Sequence, residues 1–329
     1  MQDDVLIKAP MTCRPMDLTM VDGLLDGPDV DRAYEVVSES DFAMIGRVES
    51  SRESLRFQIT SPDAAQHEHR LVEDEHGEPA GVLVIERKAA ARLVFADAYC
   101  LPGLEADVLA PLVAMGIAAG GRLSEGEPGW QMEAGALAKD VGACAVLEAS
   151  GYAQVRRFWQ MGIDLAGYSL AEPKAPRGVT RSVAASEGHR RLLHSIHESA
   201  FAEHFGSVAR PYEQWLPWHK DRQDAAPDLW WLAWVEDEPV AEITQDHSRD
   251  DVNAAYVRSL GVAASARGLG IGRWLLQCAF ADAARRGREQ VCLTVDSDNT
   301  TGATALYESV GMVSEVVIDL FRRPLGASG

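Results

Sequence analysis

The chain has 329 residues, and its 50 aspartate and glutamate residues outnumber 31 lysine and arginine residues, which gives a net charge of −19. A charge this negative disfavours nucleic acid as a partner, because phosphates need a basic surface. It suits a positively charged small molecule instead. With 47% hydrophobic and 25% charged residues the composition is that of a folded globular protein, and the length suits two domains.

The sequence indicates neither a membrane-spanning segment nor a secretory signal. No apolar run approaches the length that crosses a bilayer, and the chain opens with the acidic stretch Met1-Gln2-Asp3-Asp4 rather than a signal sequence. We therefore expect a cytoplasmic protein without a membrane partner. The five cysteines are scattered and form no Cys-x-x-Cys pair, so neither a disulfide framework nor a metal site is predicted.

The first half of the chain is echoed by the second at an offset of 160 residues. Glu78-Pro79-Ala80 aligns with Glu238-Pro239-Val240, and Ala149-Ser150-Gly151 aligns with Ser309-Val310-Gly311. The Glu-Pro tripeptide of each half follows a short apolar run and leads into a strand-like segment. Two copies of one fold are therefore predicted.

The copies differ where chemistry is expected. The second copy has the glycine loop Arg267-Gly268-Leu269-Gly270-Ile271-Gly272, whereas the aligned stretch 107–112 of the first copy has no glycine. Between the copies, residues 171–178 have the proline content of a linker. The sequence thus predicts a degenerate N-terminal domain, 1–172, followed by an intact C-terminal domain, 173–329.

The glycine loop lies between a predicted strand, Ala254 to Val262, and the start of a predicted helix. The first N–H groups of a helix are unpaired and the helix dipole is positive there, so such a loop binds phosphate groups. Dinucleotide sites use the spacing Gly-x-Gly-x-x-Gly. Here Gly268, Gly270 and Gly272 occur at every second residue, which argues against that class of site.

The loop, together with Asn299 and the later run Ala-Leu-Tyr-Glu-Ser-Val-Gly-Met at 305–312, resembles the GNAT acetyltransferase superfamily. The tandem arrangement with a weakened first copy is similar to that of the mycothiol synthases in this superfamily. The resemblance implies an α/β (α+β) fold class with two tandem GNAT folds. Each would be a mixed, mostly antiparallel twisted sheet flanked by helices, with a splayed strand pair for acetyl-CoA in the second.

The same resemblance implies where the co-substrate acetyl-CoA lies. Its pantetheine arm would pair with the strand end Leu260, Gly261 and Val262. The remaining implied cofactor residues are those of the glycine loop and of the segment beside the arm: Arg267, Gly268, Leu269, Gly270, Ile271, Gly272, Arg273, Asn299, Thr301, Ala303 and Thr304.

For catalysis, the resemblance implies that Tyr307 donates a proton to the departing thiolate. Many members of the superfamily carry a carboxylate base at the position that Tyr256 occupies here, which is a departure from the pattern. Glu242, on the neighbouring predicted strand, is the substitute that we propose as base, with Asp246 behind it. Arg258 shares the strand parity of Tyr256 and is expected to contact substrate.

The acceptor site is expected to use the aromatic and acidic segment that opens the second copy, with His204 and Trp215 as substrate contacts. His194 and His197 in this segment are interpreted as a helix-surface pair, because no third metal ligand is evident.

These features predict an N-acetyltransferase that acts by direct attack of a primary amine of a small molecule on acetyl-CoA, as a monomer or homodimer. A mycothiol-precursor-like amine and an amine antibiotic or other metabolite are both open as acceptors. The alternative is a catalytically silent acyl-CoA-binding regulatory module.

Overall fold

A computed structural model of the chain describes residues 7, 10–21, 24–61, 63–202, 204, 207–220, 224–298 and 302–325. Two compact units make up the chain. Unit 1 comprises Met1–Phe158 and Val316–Gly329, and unit 2 comprises Trp159–Glu315.

The elements of the first copy are, in chain order, strand β1 (Thr12–Pro15), the ribbon β2 (Thr19–Val21) and β3 (Leu24–Asp26), helices α1 (Pro28–Ile45) and α2 (Arg52–Thr60), strands β4 (Arg70–Glu73), β5 (Pro79–Lys88) and β6 (Leu93–Cys100), helix α3 (Ala110–Leu123), strand β7 (Gln131–Leu137), helix α4 (Val141–Ala149) and strand β8 (Ala153–Asp164).

The second copy repeats this order with strand β9 (Val179–Val183), helices α5 (Glu187–Phe201) and α6 (Tyr212–Lys220), strands β10 (Trp231–Val235), β11 (Glu238–Asp246) and β12 (Ala254–Val262), helix α7 (Ile271–Arg285), strand β13 (Gln290–Asp296), helix α8 (Ala303–Ser309) and strand β14 (Val313–Pro324). Strands β8 and β14 begin at residues 153 and 313, a separation of 160 residues. The predicted repeat is therefore confirmed at the level of individual elements.

The spatial units do not coincide with the predicted division at residue 172. The sheet of unit 1 has the strand order β1-β4-β5-β6-β7-β14, and that of unit 2 has the order β8-β13-β12-β11-β10-β9. The second copy thus contributes most of its last strand, β14, to unit 1, and the first copy contributes the second half of its last strand, β8, to unit 2. The division 1–172 and 173–329 follows the repeat along the chain and stays a prediction for the domains, while the compact units divide the chain differently.

Apolar side chains on the exchanged strands explain why each is held where it lies. Phe321 of β14 is buried in the core of unit 1, and β14 pairs with β7 in antiparallel register from Ile318–Leu137 to Pro324–Gln131. Met161, in the half of β8 that belongs to unit 2, is buried in the core of that unit. Burial of such side chains is the main favourable contribution to packing.

One helical stretch, Glu105–Leu123, is long and apolar enough to cross a membrane by length and composition. It combines a π-helical turn with α3, and it corrects our expectation that no apolar run approaches the length that crosses a bilayer. Its side chains Val108, Leu112 and Val113 are buried in the core of unit 1. Core helices of globular domains often have this length and composition.

In each unit the central parallel strand pair separates, as the predicted fold requires for the second copy. Strands β12 and β13 pair only from Ala254–Gln290 to Tyr256–Cys292, so β12 runs on to Val262 without its partner. In unit 1, β6 and β7 likewise pair over only three residues. The splayed strand pair is confirmed in the second copy, and the first copy retains it too.

Candidate active site

The open edge of β12 is the first component of the site. Beyond Tyr256 the edge that faces β13 lacks strand partners, because the pairing between these two strands ends there. Leu260, Gly261 and Val262 lie on this stretch and pair on their other side with β11. Unpaired backbone groups of a strand edge can bind an extended amide-containing chain, which suits the implied contact with a pantetheine arm.

The glycine loop follows β12 after the short turn Ala264–Ala266, and its last two residues, Ile271 and Gly272, begin α7. Gly268 and Gly270 have φ values of 78° and 77°, a conformation that glycine adopts without the steric cost of a side chain. Gly270 is the N-cap, so the N–H groups of the next three residues have no helical partner. Arg267 and Arg273 are exposed and place positive charge beside these donors.

Gly272 lies in the first turn of α7, where the helix packs closely on its neighbours. A Cβ at this position would lie 3.3 Å from Leu306 Cδ2 and 3.5 Å from Val262 Cγ2. The glycine therefore brings α7 close to α8 and to the end of β12. Leu269, in contrast, is exposed on the loop.

The aligned region of unit 1 is closed by its own residues. Glu105 packs so tightly on Gly142 that a Cβ there would lie 2.8 Å from Glu105 Cγ. The amides of Val108 and Leu109 donate to the carbonyl of Leu104, in the π-helical turn that replaces the glycine loop. The first copy thus has a π-helical turn without glycine where the second copy has its loop, and we expect no acetyl-CoA there.

Asp97 bridges the splayed strands of unit 1, since its Oδ1 accepts the Gly135 amide at 3.1 Å while Oδ2 accepts Gln58 Nε2 at 3.0 Å. Burial raises the pKa of Asp97 to about 6, so its ionisation opposes folding as the pH rises towards and through that value. We expect Asp97→Asn to stabilise the protein by roughly 1–3 kcal/mol at pH 8 and to have little effect at pH 4. Thermal denaturation at both pH values tests this, and equal shifts at both would contradict it.

The second predicted cofactor segment is described only in part. Asn299 and Thr301 lie outside the described residues. Ala303 and Thr304 form the start of α8 and are half-buried.

A buried polar cluster lies on β11 and β12. Glu242 is fully buried, and its carboxylate accepts Ser259 Oγ at 3.0 Å. Its other oxygen lies 3.4 Å from Nδ1 of His197, on α5. Ser259 Oγ also lies 2.6 Å from Thr244 Oγ1. These contacts hold a carboxylate inside the fold near the open strand edge, since Glu242 is directly opposite Gly261 in the strand register.

Tyr307, on α8, is electrostatically coupled to this cluster. Burial raises the pKa of Tyr307 to about 12, with further contributions from the negative charge of Glu242 and from Tyr256. The phenol therefore keeps its proton at neutral pH, which is the state that a proton donor requires.

Tyr256 and Arg258 share the side of β12 that faces the cluster, because an irregularity in the strand register occurs between Thr244 and Gln245 of β11. Tyr256 donates its hydroxyl hydrogen to Thr294 Oγ1 at 3.2 Å, across the start of the splay. Arg258 lies over the Tyr256 ring, 5.5 Å from its centroid, and pairs with the buried Asp246.

Asp246 also accepts the amide and hydroxyl of Ser248 at 3.0 and 2.6 Å. Its carboxylate is thus occupied by Arg258 and Ser248, which corrects our expectation that it stands behind Glu242 as a reserve base.

The two substrate contacts predicted from the early segment have different positions. His204 is half-buried and makes an edge contact with Phe201, with ring centroids 4.6 Å apart. Trp215 is 2% exposed and belongs to an apolar core with Leu193, Tyr212 and others. Its position as a substrate contact is therefore corrected: α6 turns this side chain into the core, where it stacks on His219 at 4.2 Å.

The contacts of His197 and Ser259 with Glu242 were not predicted from the sequence. The periodicity of α5 contained the signal for the histidine, because Leu193 and Ile196 are buried on the same face of the helix, and His197 follows one turn after Leu193. The partner of His197 is 45 residues away on another element. Nothing in the local pattern indicates such a pair.

Comparison with known proteins agrees with this geometry. Residues 190–312 match the model of the acetyltransferase (GNAT) family. The mycothiol acetyltransferase of Beutenbergia cavernae is 28% identical over 267 residues, which cover 78% of this chain and 88% of that protein. Matches to further mycothiol acetyltransferases cover between 55% and 67% of those proteins.

Two solved structures show the same fold over nearly the whole chain. A GCN5-related N-acetyltransferase from Sphaerobacter thermophilus has a TM-score of 0.78 at 22% identity and covers 97% of both chains. A tandem GNAT protein from the clavulanic acid biosynthesis pathway has a TM-score of 0.71 at 14% identity and covers 97% of this chain and 100% of that one. The alternative of a catalytically silent module finds no support in these relatives. The chain thus has the fold of tandem GNAT proteins and is similar in sequence to the mycothiol acetyltransferases. It is an acetyltransferase that uses acetyl-CoA as its acetyl donor.

Proposed function

We propose that this acetyltransferase transfers the acetyl group to a primary amine of a small molecule by direct attack on the thioester. The observation that carries the proposal is that Glu242, a buried carboxylate opposite Gly261 at the open edge of β12, lies close enough to Tyr307 for its negative charge to help raise the pKa of that phenol. An amine needs one group that accepts a proton before attack and another that protonates the leaving thiolate.

The two groups meet opposite needs of the reaction. Glu242 provides the negative charge that attracts an ammonium ion, and its ion-pair partner His197 provides a route for a proton. Tyr307 holds its proton at neutral pH and can donate it to the thiolate of CoA. Backbone N–H groups on the open edge of β12 would stabilise the oxyanion of the tetrahedral intermediate.

The positions of Arg258 and Asp246 bear on the kind of acceptor. Arg258 is half-buried beside Tyr256, and its charge is balanced by the buried carboxylate of Asp246. This pair leaves polar hydrogen-bonding groups but little net charge next to Glu242. A hydroxyl-rich or amide-containing amine fits such a surface better than a strongly anionic one.

Among such amines, we propose the deacetylated form of mycothiol as the first to test, because the chain is similar in sequence to mycothiol acetyltransferases. Tyr256 stands where many GNAT members have a carboxylate, so the acceptor is held differently here. An amine antibiotic or another amine metabolite is the second choice.

The test is a thiol-release assay in which the protein and acetyl-CoA are incubated with a panel of amines, followed by mass spectrometry of the products. We expect CoA release that depends on one class of amine, with a product heavier by one acetyl group. Release of CoA at the same rate with and without every amine would contradict amine transfer.

A further inference from the structure

His197 lies on α5 and contacts Glu242 on β11. Among the described residues it is the only ionisable side chain that forms a direct hydrogen bond with this carboxylate. The Glu242 side chain is 0% exposed, whereas that of His197 is 21% exposed. Resting on the proposed function, we propose that Nε2 of His197 takes the proton from the acceptor ammonium, and that Glu242 is the positioning residue that orients the imidazole.

The occupation of the carboxylate oxygens supports this division of roles. Oε2 of Glu242 accepts the hydroxyl of Ser259 at 3.0 Å, and Oε1 faces Nδ1 of His197 at 3.4 Å. A Cβ at Gly261 would lie 2.9 Å from Oε1, so the backbone of β12 covers that oxygen closely. An incoming amine therefore meets the partly exposed imidazole before it can reach the buried carboxylate.

The same contact sets the tautomer of the neutral imidazole. A carboxylate can only accept, so Nδ1 must carry the hydrogen and Nε2 must carry the lone pair. Within the part of the chain that the structure describes, Nε2 of His197 forms no hydrogen bond. A base oriented by a carboxylate through its other nitrogen is the arrangement that activates histidine in many hydrolases.

Aromatic neighbours restrict the orientation of the imidazole ring. Phe201, one turn later on α5, stacks on it with centroids 4.6 Å apart and planes inclined by 29°. From α6, Trp215 and His219 approach at centroid distances of 6.0 and 6.2 Å. The buried Trp215 thus serves the site by holding His197 and His219 in place.

The titratable groups around His197 are Glu242 on β11, Glu198 on α5, and the histidines His219 and His204. Burial acts to lower the pKa of His197, but the hydrogen bond and charge of Glu242, with a smaller contribution from Glu198, outweigh it, and the pKa is raised above 6.5. His219 is neutral at working pH, since burial lowers its pKa to about 3. Burial also lowers the pKa of His204. The pKa of His197 is therefore raised, whereas those of His219 and His204 are lowered.

The proton balance of the reaction is complete with these groups. One proton passes from the ammonium to Nε2 of His197, and the free amine forms the C–N bond to the thioester carbon. As the C–S bond breaks, Tyr307 donates its phenol proton to the CoA thiolate. The second nitrogen-bound proton of the tetrahedral adduct then restores the proton of Tyr307. His197 then returns its proton to water, so the net products are the amide, CoA and one proton.

The test compares the pH dependence of kcat/KM for the wild-type protein and three variants on the amine that gives most turnover. Wild type should lose activity as the pH falls through the raised pKa of His197, because only the neutral imidazole accepts a proton. His197→Gln should lower kcat by about 10²–10³-fold and abolish this acidic limb. Glu242→Gln should keep a limb but move it to lower pH, since the hydrogen bond and charge that raise the pKa of the imidazole most are then lost.

His194→Gln is the matched control, because His194 lies one turn earlier on α5 and contacts the carbonyl of Arg210 at 2.8 Å instead of Glu242. It should leave the limb where it is. A limb that arises from the pKa of the amine itself would be unchanged in all variants, and that result would overturn the proposal. So would unaltered kcat in His197→Gln.

An NMR titration of the wild-type protein with labelled histidine provides a measurement that does not depend on the folding of any variant. We expect the His197 ring to titrate above pH 6.5 and to carry its hydrogen on Nδ1 in the neutral form. A neutral ring with its hydrogen on Nε2 would overturn the proposal. Absence of turnover on every amine would overturn the proposed function as well, whereas turnover with an unaffected His197→Gln would overturn only the role of His197.

Discussion

Gly270→Glu should abolish acetyl-CoA binding, with a loss of affinity of at least about 100-fold in a calorimetric titration. Gly270 has φ = 77° and caps α7, so any side chain strains the backbone at the point where the first helical N–H groups are exposed. A carboxylate there adds a negative charge where the phosphates of CoA would bind. Both effects act on the same ligand.

Gly287→Glu is the matched control for this substitution. Gly287 has φ = 76°, lies just after the other end of α7, and has nothing within 4 Å of the place that a Cβ would take. The backbone cost is therefore similar, but the site is one helix length from the glycine loop. Equal affinities of Gly270→Glu and Gly287→Glu would contradict the assignment of the loop to the phosphates.

Tyr307→Phe should lower kcat by about 10²–10⁴-fold while acetyl-CoA affinity stays within a few-fold of wild type. The phenol is buried on α8 with a pKa of about 12, and the ring stays in place when only the hydroxyl is removed. Loss of the proton donor then affects the departure of the thiolate and leaves packing unaffected. Steady-state kinetics and a binding titration on the same preparation give the two quantities.

Tyr152→Phe, a substitution in the buried core of unit 1, controls for the loss of a tyrosine hydroxyl elsewhere in the fold. We expect it to leave kcat unchanged. If Tyr307→Phe also retains full turnover, Tyr307 contributes packing alone and water protonates the thiolate.

The parts of this fold that could be predicted from sequence are those with a local cause. Gly268 and Gly270 adopt positive φ, which restricts the residue types that a loop can use, so their spacing is visible in the chain itself. The repeat was equally readable, because Glu78-Pro79 and Glu238-Pro239 begin the same strand of each copy. Tyr307 could be placed only through the resemblance to a known superfamily.

Other features depend on contacts between distant residues. The exchange of β8 and β14 could not be predicted, because it depends on pairing with strands far away in the chain, such as that of β14 with β7. Trp215 was assigned to the substrate surface from its residue type, although the apolar face of α6 turns it into the core. The contact between His197 and Glu242 spans 45 residues and appears only when α5 is packed on β11.

The central claim is that the second copy alone binds acetyl-CoA, through the glycine loop and the open edge of β12. A calorimetric titration of the full chain with acetyl-CoA tests it most directly. We expect one binding site per chain, and none in Gly270→Glu. Two sites per chain, or one site that survives in Gly270→Glu, would contradict the account and place a cofactor in the first copy.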